Sequence, residues 1–273
     1  MKTFVIEAGR SVPARVRLFR CLVTLLLTMF ATASAEADSR PTKINAGIWL
    51  SRETDYLVSK QHQEELLLNL RQITGLCELR IKDDGSLSLG DTIGSSNGSF
   101  ASRQVLLRAI NSGYVFFIED HTGSSEVNFG QLDEGTLYED ETTGSRFLIW
   151  RIRLDFEDFR KMSAPDKVRE SFSIGFTFLH ELLHGLGHKD AQQIRELGEC
   201  EEQINMVRLE LNLPTRDQYF AEQLKITQQF FTMRLRFRDH VKQRNQYLFF
   251  MAAPGSKIVE IVEGVVTVGR PPR

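Results

Sequence analysis

The stretch Phe178-Leu-His-Glu-Leu-Leu-His-Gly-Leu-Gly-His-Lys-Asp190 organises the reading of this chain. Within it, His180 and His184 are four residues apart. On a helix that spacing stacks the two imidazoles on one face, where both can reach one metal ion. Glu181 directly follows the first histidine and can take a proton from a water beside that ion. The preceding run Phe172, Ile174, Phe176, Phe178 and Leu179 is strongly apolar, so the helix is expected to be buried. Two histidines and a glutamate on a buried helix are costly without a partner, and a metal ion is one that satisfies all three. Ser163-Ala-Pro-Asp166 reads as the helix start, with Ser163 as N-cap, and the helix is expected to span 163–187.

Gly185 and Gly187 follow the second histidine, and glycine ends helices in a left-handed turn. A chain turning there can bring a later residue back to the metal. His180-Glu181-Leu182-Leu183-His184 carries the H-E-x-x-H pattern of zinc hydrolases, and with Gly187 and Asp190 the stretch resembles the metzincins, whose pattern is H-E-x-x-H-x-x-G-x-x-H. The last position holds Asp190 instead of histidine, and a carboxylate oxygen is an ordinary zinc ligand. The resemblance implies a zincin-like peptidase with Zn2+ held by His180, His184 and Asp190, and Glu181 as the general base.

Other third ligands stay open. His188 would need the helix to break at Gly185. Glu196, Glu199, Glu201 or Glu202 would place the chain nearer the gluzincins, in which a glutamate on a following helix completes the site. The segment Asn205-x-x-Arg208-x-Glu210-Leu211-x-Leu213-Pro214-x-Arg216-x-x-Tyr219 resembles bacterial effector-type zinc metallopeptidases over some fifteen residues. Tyr219 and Tyr247 are candidate donors to an oxyanion. Met251 and Met206 are candidates for the methionine turn that the metzincin resemblance implies.

Residues 1–35 read as a secretory signal. Lys2, Arg10, Arg15, Arg17 and Arg20 precede the short apolar run Cys21 to Phe30, and Ala33-Ser34-Ala35 fits a cleavage site. The run is short for a membrane span, and no other apolar stretch is long enough to span one. Export to the periplasm or the medium follows, with 36–273 as the metallopeptidase domain. The signal removes five of the 34 basic and one of the 36 acidic residues, so the remainder carries about −6. That balance argues against nucleic acid as a partner and leaves a peptide or protein substrate. Cys77 and Cys200 are then an even pair, which in an exported chain permits a disulfide.

The expected fold is α+β, zincin-like, with a mixed sheet, a central metal-binding helix and a mostly helical C-terminal part. Strands are expected at Ile44–Leu50, Cys77–Ile81, Tyr114–Ile118, Val127–Leu132, Thr136–Tyr138, Phe147–Leu154, Tyr247–Met251 and Ile258–Val268, with a turn at Pro254-Gly255. Helices are expected at Tyr56–Ile73, Ser102–Asn111, Gln192–Asn212 and Asp217–Val241. Asp83–Gly98 reads as a loop, in which Asp83, Asp84 and Asp91 match no calcium-loop spacing and Asn97-Gly-Ser99 fits a glycosylation acceptor. Strands just before the metal helix resemble the zincin upper domain, whose edge strand pairs with extended substrate. A secreted toxin or effector protease, and a binding protein that keeps zinc for stability, are the other classes the motif admits.

Overall fold

The helix that carries the motif is buried over most of its surface, with Thr177 and His184 partly exposed. In the computed structural model, Phe178, Leu179, Leu182 and Leu183 are all fully buried, so solvent meets no apolar face of this helix. The structure describes residues 45–90, 97–139, 144–193, 196–226, 230–252 and 258–259, which belong to one unit, Ile44–Arg273. The predicted signal, the Pro254-Gly255 turn and most of the last predicted strand lie outside the described residues. None of the described helices is long and apolar enough to cross a membrane.

The architecture is α+β with a mixed sheet. Strands β1 (Gly47–Leu50), β4 (Val115–Asp120) and β7 (Arg146–Leu154) run parallel in that order. Two short strands, β5 (Gly130–Leu132) and β6 (Thr136–Glu139), pair antiparallel with opposite halves of β7 and form the edge of the sheet. Between β1 and β4 the chain makes helix α1 (Lys60–Thr74), the small hairpin β2 (Arg80–Ile81) and β3 (Leu87–Ser88), and helix α2 (Phe100–Asn111). Helix α1 buries Leu66, Leu67, Leu70 and Ile73, one stripe at helical spacing. Ser59 caps it by accepting from the amide of His62, and Gly75 ends it at φ 73°. Ser99, the last residue of the glycosylation-like triplet, is buried as the N-cap of α2. It accepts from the amide of Ser102 and donates to Glu210 at 2.6 Å.

The predicted helix 163–187 is two helices, α3 (Asp166–Ser171) and α4 (Ile174–Gly185). Ser163 caps neither; its amide and carbonyl bridge to Phe249. The helix breaks because the Ser171 carbonyl is taken by buried Arg208 at 2.9 Å, while Phe172 packs among Phe129, Phe159 and Phe237. Helix α4 then packs against α1, α2, α5 (Gly198–Glu210), β5 and β7.

The C-terminal part is not mostly helical. Beyond α5 lie β8 (Thr215–Arg216), β9 (Glu222–Ile226), β10 (Phe231–Asp239), β11 (Arg244–Ala252) and β12 (Ile258–Val259). The predicted helix Asp217–Val241 is instead β9 and the first strand of an antiparallel hairpin, in which Leu235 faces Leu248 and Phe237 faces Gln246. Met233, Leu235 and Phe237 alternate with Arg234, Arg236 and Arg238, so one face of β10 packs on the core and the other carries arginines. The predicted helix Gln192–Asn212 shortens to α5.

Candidate metal centre

Helix α4 presents His180 and His184 side by side, with ring centroids 4.8 Å apart. The helix ends at Gly185, and Gly187 follows in the left-handed region at φ 94°. The turn is closed by the amide of Gly187 on the carbonyl of His184 and the amide of His188 on that of Leu183. That reversal returns Asp190 to the exposed side of the two imidazoles. Its Oδ1 lies 3.1 Å from His180 Nε2, and its Oδ2 lies 3.0 Å from His184 Nε2. A backbone bridge from Asp190 to Gly198 holds the returning chain.

The partners behind each histidine decide which nitrogen is free. The carbonyl of His188 lies 3.1 Å from His184 Nδ1, and a carbonyl only accepts. Nδ1 therefore carries a proton, and Nε2 is the atom left for a metal. Cys200 Sγ also approaches His184 from this Nδ1 side, at 3.4 Å. The ligand-type atoms of His180, His184, Asp190 and Cys200 all lie within 4.8 Å of one another. Cys200 is a residue that sequence reasoning missed as a member of the site, because it stands in no paired-cysteine pattern. Neither cysteine is bridged: Cys200 is fully buried here and Cys77 is exposed on a turn.

The residues fit a divalent cation. Asp190 Oδ1 is buried without a properly aligned hydrogen bond, although His180 Nε2 stands close to it. Burial would raise the carboxyl of Asp190, but the close imidazoles of His180 and His184 and the hydroxyl of Tyr219 outweigh it and hold the group well below the usual carboxylate range. Burial disfavours a charged His184, but the Asp190 carboxylate and the Cys200 contact prevail and lift it to about 11. A carboxylate facing two Nε2 atoms is a donor set that can hold a divalent metal ion, which would displace the Nε2 protons on binding. The site can thus hold a metal ion through His180, His184 and Asp190, with Cys200 close by.

Glu181 lies beside the two histidines and faces β5. Burial pushes its carboxyl up, against the opposing pull of the two histidines, and the amide of Leu132 donates to it. Gly130 lets β5 pack closely on α4, since a Cβ there would lie 2.5 Å from Thr177 Cγ2. Strand β5 is therefore the edge strand that lines the cleft, and its outer side has no strand partner among the described residues. On one side of Glu181 is a groove of about 410 Å³ lined by Gln131, Asp133, Glu134, Trp150 and Tyr219. On the other is a cavity of about 440 Å³ walled by Phe129, Phe172, Phe176, Met233 and Phe250.

The remaining candidates fall outside the ligand set. His188 turns to Arg108 at 3.2 Å. Glu199 accepts from the amide of Lys189 at 3.1 Å, and Glu196 and Glu202 are exposed. Glu201 is buried behind His180 rather than in front of it. Tyr219 donates to Asp190 Oδ2 at 2.6 Å and stacks on His180, with centroids 5.9 Å apart. Tyr247 lies under Arg234 and lines neither cavity. Met251 sits in β11 opposite Thr232 and Met206 is exposed on α5, so neither lines the cleft. Asp84 caps its own turn through Ser86. No family model, curated protein or solved structure matches this chain.

Proposed function

We propose that this chain is an exported, zincin-like zinc peptidase that hydrolyses peptide bonds in the cleft between α4 and β5. One observation carries the reading: both Nε2 atoms converge on the two oxygens of one carboxylate, with the Glu181 carboxylate beside them at the cleft wall. His180, His184 and Asp190 would hold a zinc ion there, which would supply a water of lowered pKa and polarise the scissile carbonyl. Glu181 takes the proton from the attacking water and returns it to the leaving amine, a role suited to a carboxylate whose burial makes it more basic. The outer side of β5 orients an extended peptide by backbone pairing. Tyr219 holds Asp190 in place through its hydroxyl. Residues 1–35, which read as a leader, favour an activity outside the cytoplasm, where a rival-cell or host protein as target would make it an effector.

Cys200 favours a second reading, a closed four-ligand zinc site that only stabilises a binding protein. The thiol's place beside Nδ1 of His184, away from the Nε2 that faces Asp190, supports the open, catalytic arrangement instead. Glu181→Gln separates the two. The variant should retain one equivalent of zinc by elemental analysis and lose ~10²–10⁴-fold in cleavage of a general protein substrate such as casein, because an amide takes no proton. Wild-type protein that binds zinc tightly and cleaves nothing would leave the stabilising role.

A further inference from the structure

Behind His180, on the side away from Asp190, stands a carboxylate that the proposed chemistry does not use. The Glu201 side chain is 2% exposed, and its Oε2 lies 3.6 Å from His180 Nδ1. Two guanidinium groups grip it. Arg208 Nη1 bonds Oε1, and Arg216 Nη1 lies 3.1 Å from Oε2. Both arginines are themselves fixed. Arg208 Nε donates to the Ser171 carbonyl at 2.9 Å and its Nη1 to Asn205 Oδ1 at 2.8 Å, while the backbone amide of Arg216 donates to that same Asn205 oxygen at 2.8 Å. The Arg216 guanidinium lies over the rings of Phe172 and Tyr219.

Burying two cations and one anion is an expensive way to stabilise a fold, since apolar residues of similar volume commonly do as well or better. The array has a feature that stability alone leaves unexplained: its one carboxylate faces the nitrogen of His180 that a metal does not use. We propose that Glu201 is a positioning residue of the metal centre. It keeps the His180 proton on Nδ1, so that Nε2 faces the ion, and its negative charge makes that ligand a stronger donor. At 3.6 Å the pair is an electrostatic contact rather than a hydrogen bond. Asn205, Arg208 and Arg216 act through Glu201, and Tyr219 acts on the opposite ligand, Asp190. The short segment Glu201–Tyr219 thereby supplies both the partner of His180 and the partner of Asp190. The inference rests on the metal reading of His180, not on the peptidase reading.

The test measures zinc affinity by chelator competition and the visible spectrum of the cobalt(II)-substituted full chain. Glu201→Gln should bind zinc ~10–100-fold more weakly, the usual cost of losing such a partner, and should alter the cobalt d–d bands. Glu202→Gln, one residue on and exposed, should match wild type in both. Glu201→Gln leaves two arginines without their anion, so Glu201→Asp provides the second arm. It keeps the charge for Arg208 and Arg216 but withdraws the carboxylate from His180, and should weaken zinc binding while circular dichroism and melting stay near wild type. A folded Glu201→Asp or Glu201→Gln with wild-type affinity and an unchanged cobalt spectrum would overturn the proposal and leave Glu201 as an ionic partner of the arginines. Wild-type protein that binds neither zinc nor cobalt would overturn the metal reading and this inference together.

Discussion

Two places in this molecule bring two histidines together with carboxylates, and they are wired differently. On α4 the histidines share one carboxylate: His180 and His184 both aim Nε2 at Asp190, whose Oδ1 is left orphaned. At the end of β4 each histidine has its own. His62 Nδ1 bonds Asp120 at 2.6 Å and its ring stacks on Phe156, with centroids 4.2 Å apart. His121 Nε2 bonds Glu119 at 3.1 Å and stacks on Tyr56. Asp120 is further satisfied by the amide of Thr122, and Glu119 by Arg151. The second group is therefore closed by its own pairs and offers no shared point for a cation. Residue composition is nearly the same in both; convergence of lone pairs separates a metal centre from two satisfied ion pairs.

The largest expected effect breaks this comparison outright. His180→Ala or His184→Ala should abolish stoichiometric zinc binding in elemental analysis, whereas His62→Ala and His121→Ala should keep one zinc per chain and lose only ~1–2 kcal/mol of stability from unpaired carboxylates. Zinc retained by the first pair and lost by the second would reverse the assignment. Next in size is Asp190→Ala. Removing a ligand oxygen should cost more than the ~10–100-fold of an outer partner, and competition titration beside His188→Ala and Glu199→Ala ranks the candidates. If Glu199→Ala loses zinc and Asp190→Ala does not, the third ligand moves to the glutamate and the chain to the gluzincin side.

The last effect bears on stability alone and concerns a carboxylate that has no histidine partner. Asp158 is buried and accepts from the amide of Phe129, and burial, with the neighbouring Asp155 charge adding to it, lifts it to about 6. Its folded value lies above its unfolded one, so the folded chain keeps a proton that the unfolded chain has lost between about pH 4 and 6. Stability should therefore fall as pH rises through that window, by up to ~3 kcal/mol from this group. Asp158→Asn should lose that part of the slope. Urea midpoints at pH 4 and pH 6.5 give the comparison, and equal slopes in the two proteins would show that Asp158 titrates normally.

Much of the α4 region was legible because its signals are local. The i, i+4 histidines, the apolar run and Gly187 act within a few residues, and each does in the fold what its spacing predicts. Strands β1, β4 and β7 were legible as apolar runs bounded by turns. The segment 217–241 was misread. Phe220, Leu224, Phe231 and Leu235 can be placed on a helical face, yet the alternation of Met233, Leu235 and Phe237 with three arginines was the stronger period and marks a strand. Cys200 was read toward a disulfide because an even cysteine count suggests one; its real neighbour, His184, is sixteen residues away and unrelated by any motif.

By itself, then, the amino-acid sequence determined the paired histidines, the adjacent glutamate and the turn that follows, since helix geometry and glycine's backbone freedom need no distant partner. The tertiary structure alone decided which of Asp190, His188 and the later glutamates faces the imidazoles, which strand borders the cleft, and that Glu201 stands behind His180. Those outcomes depend on where the chain returns after Gly187 and on how α5 packs against α4. Such long-range placements are set by the whole core, and a linear pattern of residue types does not contain them.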